Sequence, residues 1–242
     1  MTSTRVQLWC AWSGPAFIVL FFSGMLVASL LPPPEPDWTA QRTAEFWRSD
    51  PDLKRLGLSL MMASTTFLAP FGVAIFLQLR RIPGAIAPAY TALAGAAVGM
   101  VAVVVPTIMM LSIALRPERD PEITQALTDL AFIPFVVNWP PALVQALGLG
   151  VGVLMDRRRE DPVLPRWLGY YALWTGFLFL PGTLLVFFLD GVWAWNGILS
   201  FWLVAVLFGM FQLVVFVQVR AAILRAAATP TPAEPAPEAV PA

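Results

Sequence analysis

Histidine is absent from the 242-residue sequence, cysteine and lysine occur once each, and charged side chains of all kinds make up only 12%. Without imidazole the chain lacks the usual general base, the commonest metal ligand and any histidine-ligated haem, which excludes phosphatases, proteases and oxidases built on them. The lone Cys10 forms neither an internal disulfide nor a thiolate cluster, and at the start of an apolar run it reads as a small buried hydrophobe. No cofactor or metal is implied. The fifteen basic and fifteen acidic residues cancel. Basic residues are scattered through short segments instead of lining one aromatic-studded face, so no nucleic-acid partner is expected.

What fills the sequence instead is apolar, at 58% of residues. Six segments, 8–31, 56–79, 86–115, 130–155, 167–189 and 197–219, total 150 residues and hold none of the 30 charged side chains; all 30 lie in the other 92 residues. A helix needs roughly 20 apolar residues to cross the hydrocarbon layer, and each segment is long enough. The fold class is therefore all-α: a polytopic membrane protein with six transmembrane helices in a single bundle, spanning residues 1–225, whose main partner is the lipid bilayer. The first run follows Arg5 and is too long for the apolar core of a cleaved leader, so it reads as a retained signal anchor. Residues 226–242, rich in proline and alanine, are expected to form a disordered tail. Arginine outnumbers lysine 14 to 1, a compositional habit of GC-rich bacterial genomes that suggests a bacterial cell membrane.

With six spans the two termini share a side. The segments on that side carry Arg5, Arg80, Arg81, Arg157, Arg158, Arg159, Arg166, Arg220 and Arg225, against Arg42, Arg48, Lys54, Arg55, Arg116 and Arg119 on the other. Basic residues near span ends face the cytoplasm, so both termini are expected there. The Arg157–Arg159 run reads as a topology anchor, with an anionic-lipid site as the sharper alternative.

Asp-Pro pairs at 50–51, 120–121 and 161–162 carry helix-start chemistry: an acceptor for the first free N–H groups, then a residue without one. An outer-surface helix is expected over about 38–49, with Asp37 as its cap and Trp38, Phe46 and Trp47 as apolar weight; its alternative role is docking of a membrane-protein partner. Trp193 and Trp195 are assigned to the same outer aromatic belt. Gly95 with Gly99 and Gly148 with Gly152 each place two glycines on one helix face, which predicts close helix approach within the bundle or in a homodimer.

One place inside the membrane is irregular. Pro134 is followed by Asn138-Trp139-Pro140-Pro141, which strips N–H partners from the carbonyls of Leu130, Val136 and Val137 and predicts a broken fourth helix. Freed carbonyls at that depth need protein groups or water. Thr65, Thr66 and Thr107 are the candidate partners, and Asn138 the candidate cap of the second half-helix. Asn138, Trp139, Pro140, Pro141, Thr65, Thr66 and Thr107 form the candidate ligand site, and no catalytic or metal-binding residue is assigned. The spans contain no carboxylate, lysine, arginine or histidine, which argues against proton coupling and ion pumping. The expected function is binding, or facilitated movement, of a small neutral or lipid-like molecule at the broken helix. A structural or accessory subunit of a membrane complex is the alternative. A lipid-modifying enzyme using Asp129 or Asp190, at the outer span edges, is disfavoured.

The orientation is directly testable. A cysteine replacing Ser49, in a chain whose Cys10 is alanine, should react with a membrane-impermeant thiol reagent added to intact cells. Protection until the cells are opened would reverse the topology.

Overall fold

A computed structural model describes residues 3–228. Among these the regular elements are all helical, and six helical units are long and apolar enough to cross a membrane. The first crossing is α1 (Thr4–Val27), followed by the short α2 (Ala40–Arg48). The second is α3 (Pro51–Ser64), continued through a 3-10 turn at Thr65–Phe67 into α4 (Leu68–Leu79). The third is the unbroken α5 (Ile86–Leu115). The fourth has two halves, α6 (Pro121–Val136) and α7 (Trp139–Leu154). The fifth begins as α8 (Arg166–Leu178) and ends as a 3-10 stretch, Leu180–Phe187, where Pro181 supplies no N–H. The sixth opens with a π-helical turn, Ile198–Trp202, before α9 (Leu203–Ala228). Of the expected tail, residues 226–228 belong to α9, and the remainder lies outside the described residues.

Each crossing packs against its successor in sequence, and α9 returns to α1, so the six close into a ring. Gln78 donates to Gln7 Oε1 at 3.0 Å, and Arg225 donates to the Val163 carbonyl at 3.0 Å, which gathers both termini and two connecting loops at one end. Two apolar cores lie in succession along the ring axis. The core nearer the termini mixes alanines, among them Ala74, Ala85, Ala89, Ala92 and Ala146, with aliphatic side chains such as Ile75, Leu79 and Leu149. The far core is aromatic and methionine-rich, with Phe17, Phe21, Met25, Met61, Phe132 and Trp195.

Small residues matter because lipid tails give apolar helices no hydrophobic reason to associate; close packing must supply the attraction. A Cβ on Gly95 would run into the backbone N of Gln145, and one on Gly148 into the backbone N of Ala92. Helices α5 and α7 therefore meet backbone to backbone on the glycine faces seen in the sequence. A second such contact, between α1 and α3, is made by Gly24, whose Cβ would stand 2.6 Å from the Gly57 carbonyl.

Several local expectations are corrected. Asp120 caps α6 by accepting from the Glu122 N–H at 2.9 Å, but Asp50, with φ of 45°, makes no capping bond. No helix starts at Asp161-Pro162: α8 begins at Arg166, after Pro165, and the Val163 N–H is spent on Asp156. Thr39, not Asp37, caps α2, accepting from the Arg42 N–H. A helix, α2, does stand within the expected 38–49, with one face packed inward: Trp47 is wholly buried and its indole donates to Thr128 Oγ1 on α6. Trp195, expected in the interfacial belt, is buried; it stacks on Phe132 and donates to the Pro34 carbonyl at 2.7 Å.

Asp156 organises the loop after α7. Its carboxylate, 1% exposed, accepts two 2.8 Å bonds from the Arg158 guanidinium and a 2.9 Å bond from the Val163 N–H. Burial alone would raise its pKa, but those hydrogen bonds and the arginine charge outweigh burial and hold it below the ordinary aspartate value. A depressed pKa stabilises the fold fully above about pH 4, and that contribution is lost as pH falls through the folded-state pKa.

Two outcomes follow. Gly95→Ala should lower the thermal midpoint in detergent by an overpacking cost of about 1–3 kcal/mol, whereas Gly209→Ala, whose Cβ would sit 3.9 Å from Phe22, should not. Asp156→Asn should flatten the acid limb of a stability profile recorded between neutral pH and the pH at which Asp156 protonates; parallel limbs in parent and variant would contradict the assignment.

Candidate functional site

Besides the Thr65–Phe67 turn of the second crossing, three crossings lose regular α-helical backbone, and they lose it near one another. The first interruption is the α6–α7 junction. Val137 closes α6 by donating to the Ile133 carbonyl, and its own carbonyl, freed by Pro141, accepts from the Trp139 N–H at 2.8 Å. The expected threonine partners are not used. Thr65, Thr66 and Thr107 each donate to a carbonyl one turn back in their own helix, at 2.7, 2.8 and 2.7 Å.

Asn138 occupies the cap position of α7 but makes no capping hydrogen bond. The reason is chemical. A cap side chain accepts from the second or third residue of the helix, and here those are Pro140 and Pro141, which have no N–H to give. The half-helix start therefore presents few donors, and the Asn138 amide is left for the interior.

The second interruption is the 3-10 stretch ending the fifth crossing. Its Gly182 faces the junction, with Trp139 Cδ1 3.8 Å and Val204 4.0 Å from the position of an added Cβ. The third is the π-turn opening the sixth crossing, where the Trp202 N–H reaches five residues back to the Gly197 carbonyl at 3.4 Å. Turns of this kind recur where a helix is shaped for function.

Between them lies a cavity of about 110 Å³. Helix α1 contributes Phe17, Phe21, Phe22 and Met25, and the junction contributes Phe135, Val136, Asn138 and Trp139. The sixth crossing supplies Ser200, Phe201, Val204, Ala205 and Phe208. The space exists because α9 packs along α1 and touches α4 and α8, while α7 packs on α5 and α8. The cavity is partly open and lined overwhelmingly by carbon. Ser200 adds no free hydroxyl, since it donates to the Trp193 carbonyl at 2.8 Å. The Trp139 Nε1–H, by contrast, is buried and has no protein partner.

A smaller cavity of about 40 Å³ lies next to it, sharing Val103, Asn138, Ala142 and Phe208 as common wall. Gln145 and Gln212 also line this second space. Gln212 is 0% exposed, and neither its Nε2 nor its Oε1 has a protein partner. A buried polar group left unpaired costs about 1–3 kcal/mol, so native proteins rarely leave one without a partner of some kind. No charged residue lines either cavity.

Of the residues singled out in the sequence, Asn138, Trp139 and Pro141 reach these cavities, Pro140 is exposed on the opposite side, and the three threonines line neither. Sequence reasoning missed the aromatic wall from α1 and α9 and the role of Gln212. Gln212 was visible as an amide inside a span, but its lack of a partner is a property of the packed bundle. Among the described residues no group of three or more cysteine, histidine or carboxylate side chains is placed to hold a metal. No known protein family, curated protein or solved structure matches the chain.

Two tryptophans give a matched test. Trp47→Phe removes a donor engaged at 2.9 Å, and should lower the thermal midpoint of the detergent-purified protein by the equivalent of about 1 kcal/mol. Trp139→Phe removes an unpartnered donor and should leave the midpoint unchanged or raise it. A larger loss at Trp139 than at Trp47 would show that the indole N–H is engaged within the protein.

Proposed function

We propose that this membrane protein binds a neutral, lipid-like molecule in the aromatic cavity between α1, α9 and the α6–α7 junction. One observation carries the proposal: the interrupted backbone of the fourth and sixth crossings lines the same partly open apolar space, and the fifth turns 3-10 directly after Phe179, another of its walls. Irregular backbone is costly at membrane depth and survives only where it is buried in protein or lines a cavity. Interruptions gathered at one cavity support a built space, where a single one would support a mere kink. An apolar cavity of roughly 150 Å³ is known to take up a benzene ring, so a space of about this size suits a ring or a short length of acyl chain. The lining lacks charge, which favours a neutral guest.

The same proposal sets the chain in a cell membrane with both termini in the cytoplasm. Its support is the excess of arginine on the terminal side, nine of the fifteen basic residues.

A diazirine-bearing octane analogue provides the test. In lipid nanodiscs it should label Phe22, Val204 or Phe208 saturably, with excess octane competing. Val19, 64% exposed on the outside of α1, should label without saturation, as lipid-facing surface does. Ala142→Phe, which places a ring into the shared wall, should cut the saturable labelling at least fivefold. Labelling of the cavity residues that neither saturates nor responds to Ala142→Phe would remove the proposal's support.

A further inference from the structure

The small cavity beside the aromatic one is chemically unlike it. Gln212 presents a carboxamide with both its donor and its acceptor unpartnered and wholly buried. Gln145, 4% exposed, lines the same 40 Å³ space, as does Asn138, whose side chain the two prolines of α7 have released from capping. Three neutral amides thus meet at the boundary between the two apolar cores, in a layer otherwise made of hydrocarbon.

Resting on the binding reading above, we infer that the ligand is a neutral amphiphile: its apolar body occupies the aromatic cavity, and a small head that both donates and accepts hydrogen bonds, a hydroxyl or a carboxamide, docks on Gln212. The shared wall of Asn138, Ala142, Val103 and Phe208 makes the two spaces neighbours that one molecule spans. Charge on the head is selected against, because neither cavity offers a counter-charge and an unpaired ion pays its full desolvation. Size is limited as well. A space of 40 Å³ holds a few non-hydrogen atoms and excludes a phosphate-bearing lipid headgroup. A head able only to accept satisfies the Gln212 N–H but leaves its carbonyl unpaired, so esters and ethers rank below alcohols and primary amides.

The test uses the nanodisc-embedded parent protein, the octane photolabel and five competitors: octane, 1-octanol, octanamide, octylammonium and octanoate at pH 8, each expressed as mole fraction in the bilayer. Octanol and octanamide should half-compete at concentrations at least tenfold below octane, and the two ions should compete no better than octane. Gln212→Leu should raise octanol and octanamide to the octane value while leaving octane itself unchanged, which also shows that the variant is folded. Should Gln212→Leu not fold, Gln145→Leu should narrow the octanol-to-octane gap at least threefold. Equal competition by octane and octanol in the parent, or a gap that survives Gln212→Leu, would overturn the inference and leave ordered water as the partner of the amides, with the aromatic cavity still a binding site. Absence of saturable labelling altogether would instead remove the binding reading on which it rests.

Discussion

Hydrocarbon cannot hydrogen-bond, and that single fact governs which parts of this chain can be irregular. A helix satisfies its own backbone and faces lipid freely, and α5, unbroken over 30 residues, departs from this only at Pro106, which is buried in the bundle. Wherever proline or a change of helical type frees a backbone group, the surrounding protein must supply a partner or a cavity. The α6–α7 junction and the π-turn before α9 meet that condition across one cavity, and the 3-10 stretch after α8 begins beside its wall residue Phe179. Neither the α6–α7 break nor the π-turn before α9 would be tolerable against lipid alone.

The packing that holds this arrangement is divided along the bundle. Alanine and glycine bring α5 and α7 into backbone contact, and Gly95, beside Gln145, also borders the smaller cavity. Phenylalanine, methionine and tryptophan dominate the far core, with α1 and α3 meeting closely there through Gly24 and Gly57. The cavities lie where the two cores meet, with Gln212 following Phe211 of the core nearer the termini and Phe208 reaching toward the aromatic one.

How much of this was legible in the sequence depended on whether the signal was local. Six uninterrupted apolar runs dictate six crossings, and the Asn138-Trp139-Pro140-Pro141 string dictates a break, because a missing N–H is a property of the residue itself. The glycine faces on α5 and α7 were legible for the same reason. The failure of Asn138 to cap was local too, since Pro140 and Pro141 hold the positions that would donate to it. Other features were beyond reach. Trp47 and Trp195 have the composition of interfacial anchors, and only tertiary partners, Thr128 and the Pro34 carbonyl, place them inside. The third Asp-Pro pair has the chemistry of a helix start, yet Asp156 claims the neighbouring backbone. The cavity itself arises from how α9 sits on α1, which no periodicity in either helix encodes.

The central claim is that the interrupted crossings enclose a space made to be filled. A cryo-electron-microscopy map of the protein purified in native-lipid nanodiscs tests it most directly. Continuous density running from the ring of Phe21, Trp139 and Phe208 to the Gln212 amide, separate from the protein and from the annular lipid, is the predicted result. A map in which α9 closes onto α7, with the Trp139 and Gln212 polar atoms paired to protein groups, would contradict it.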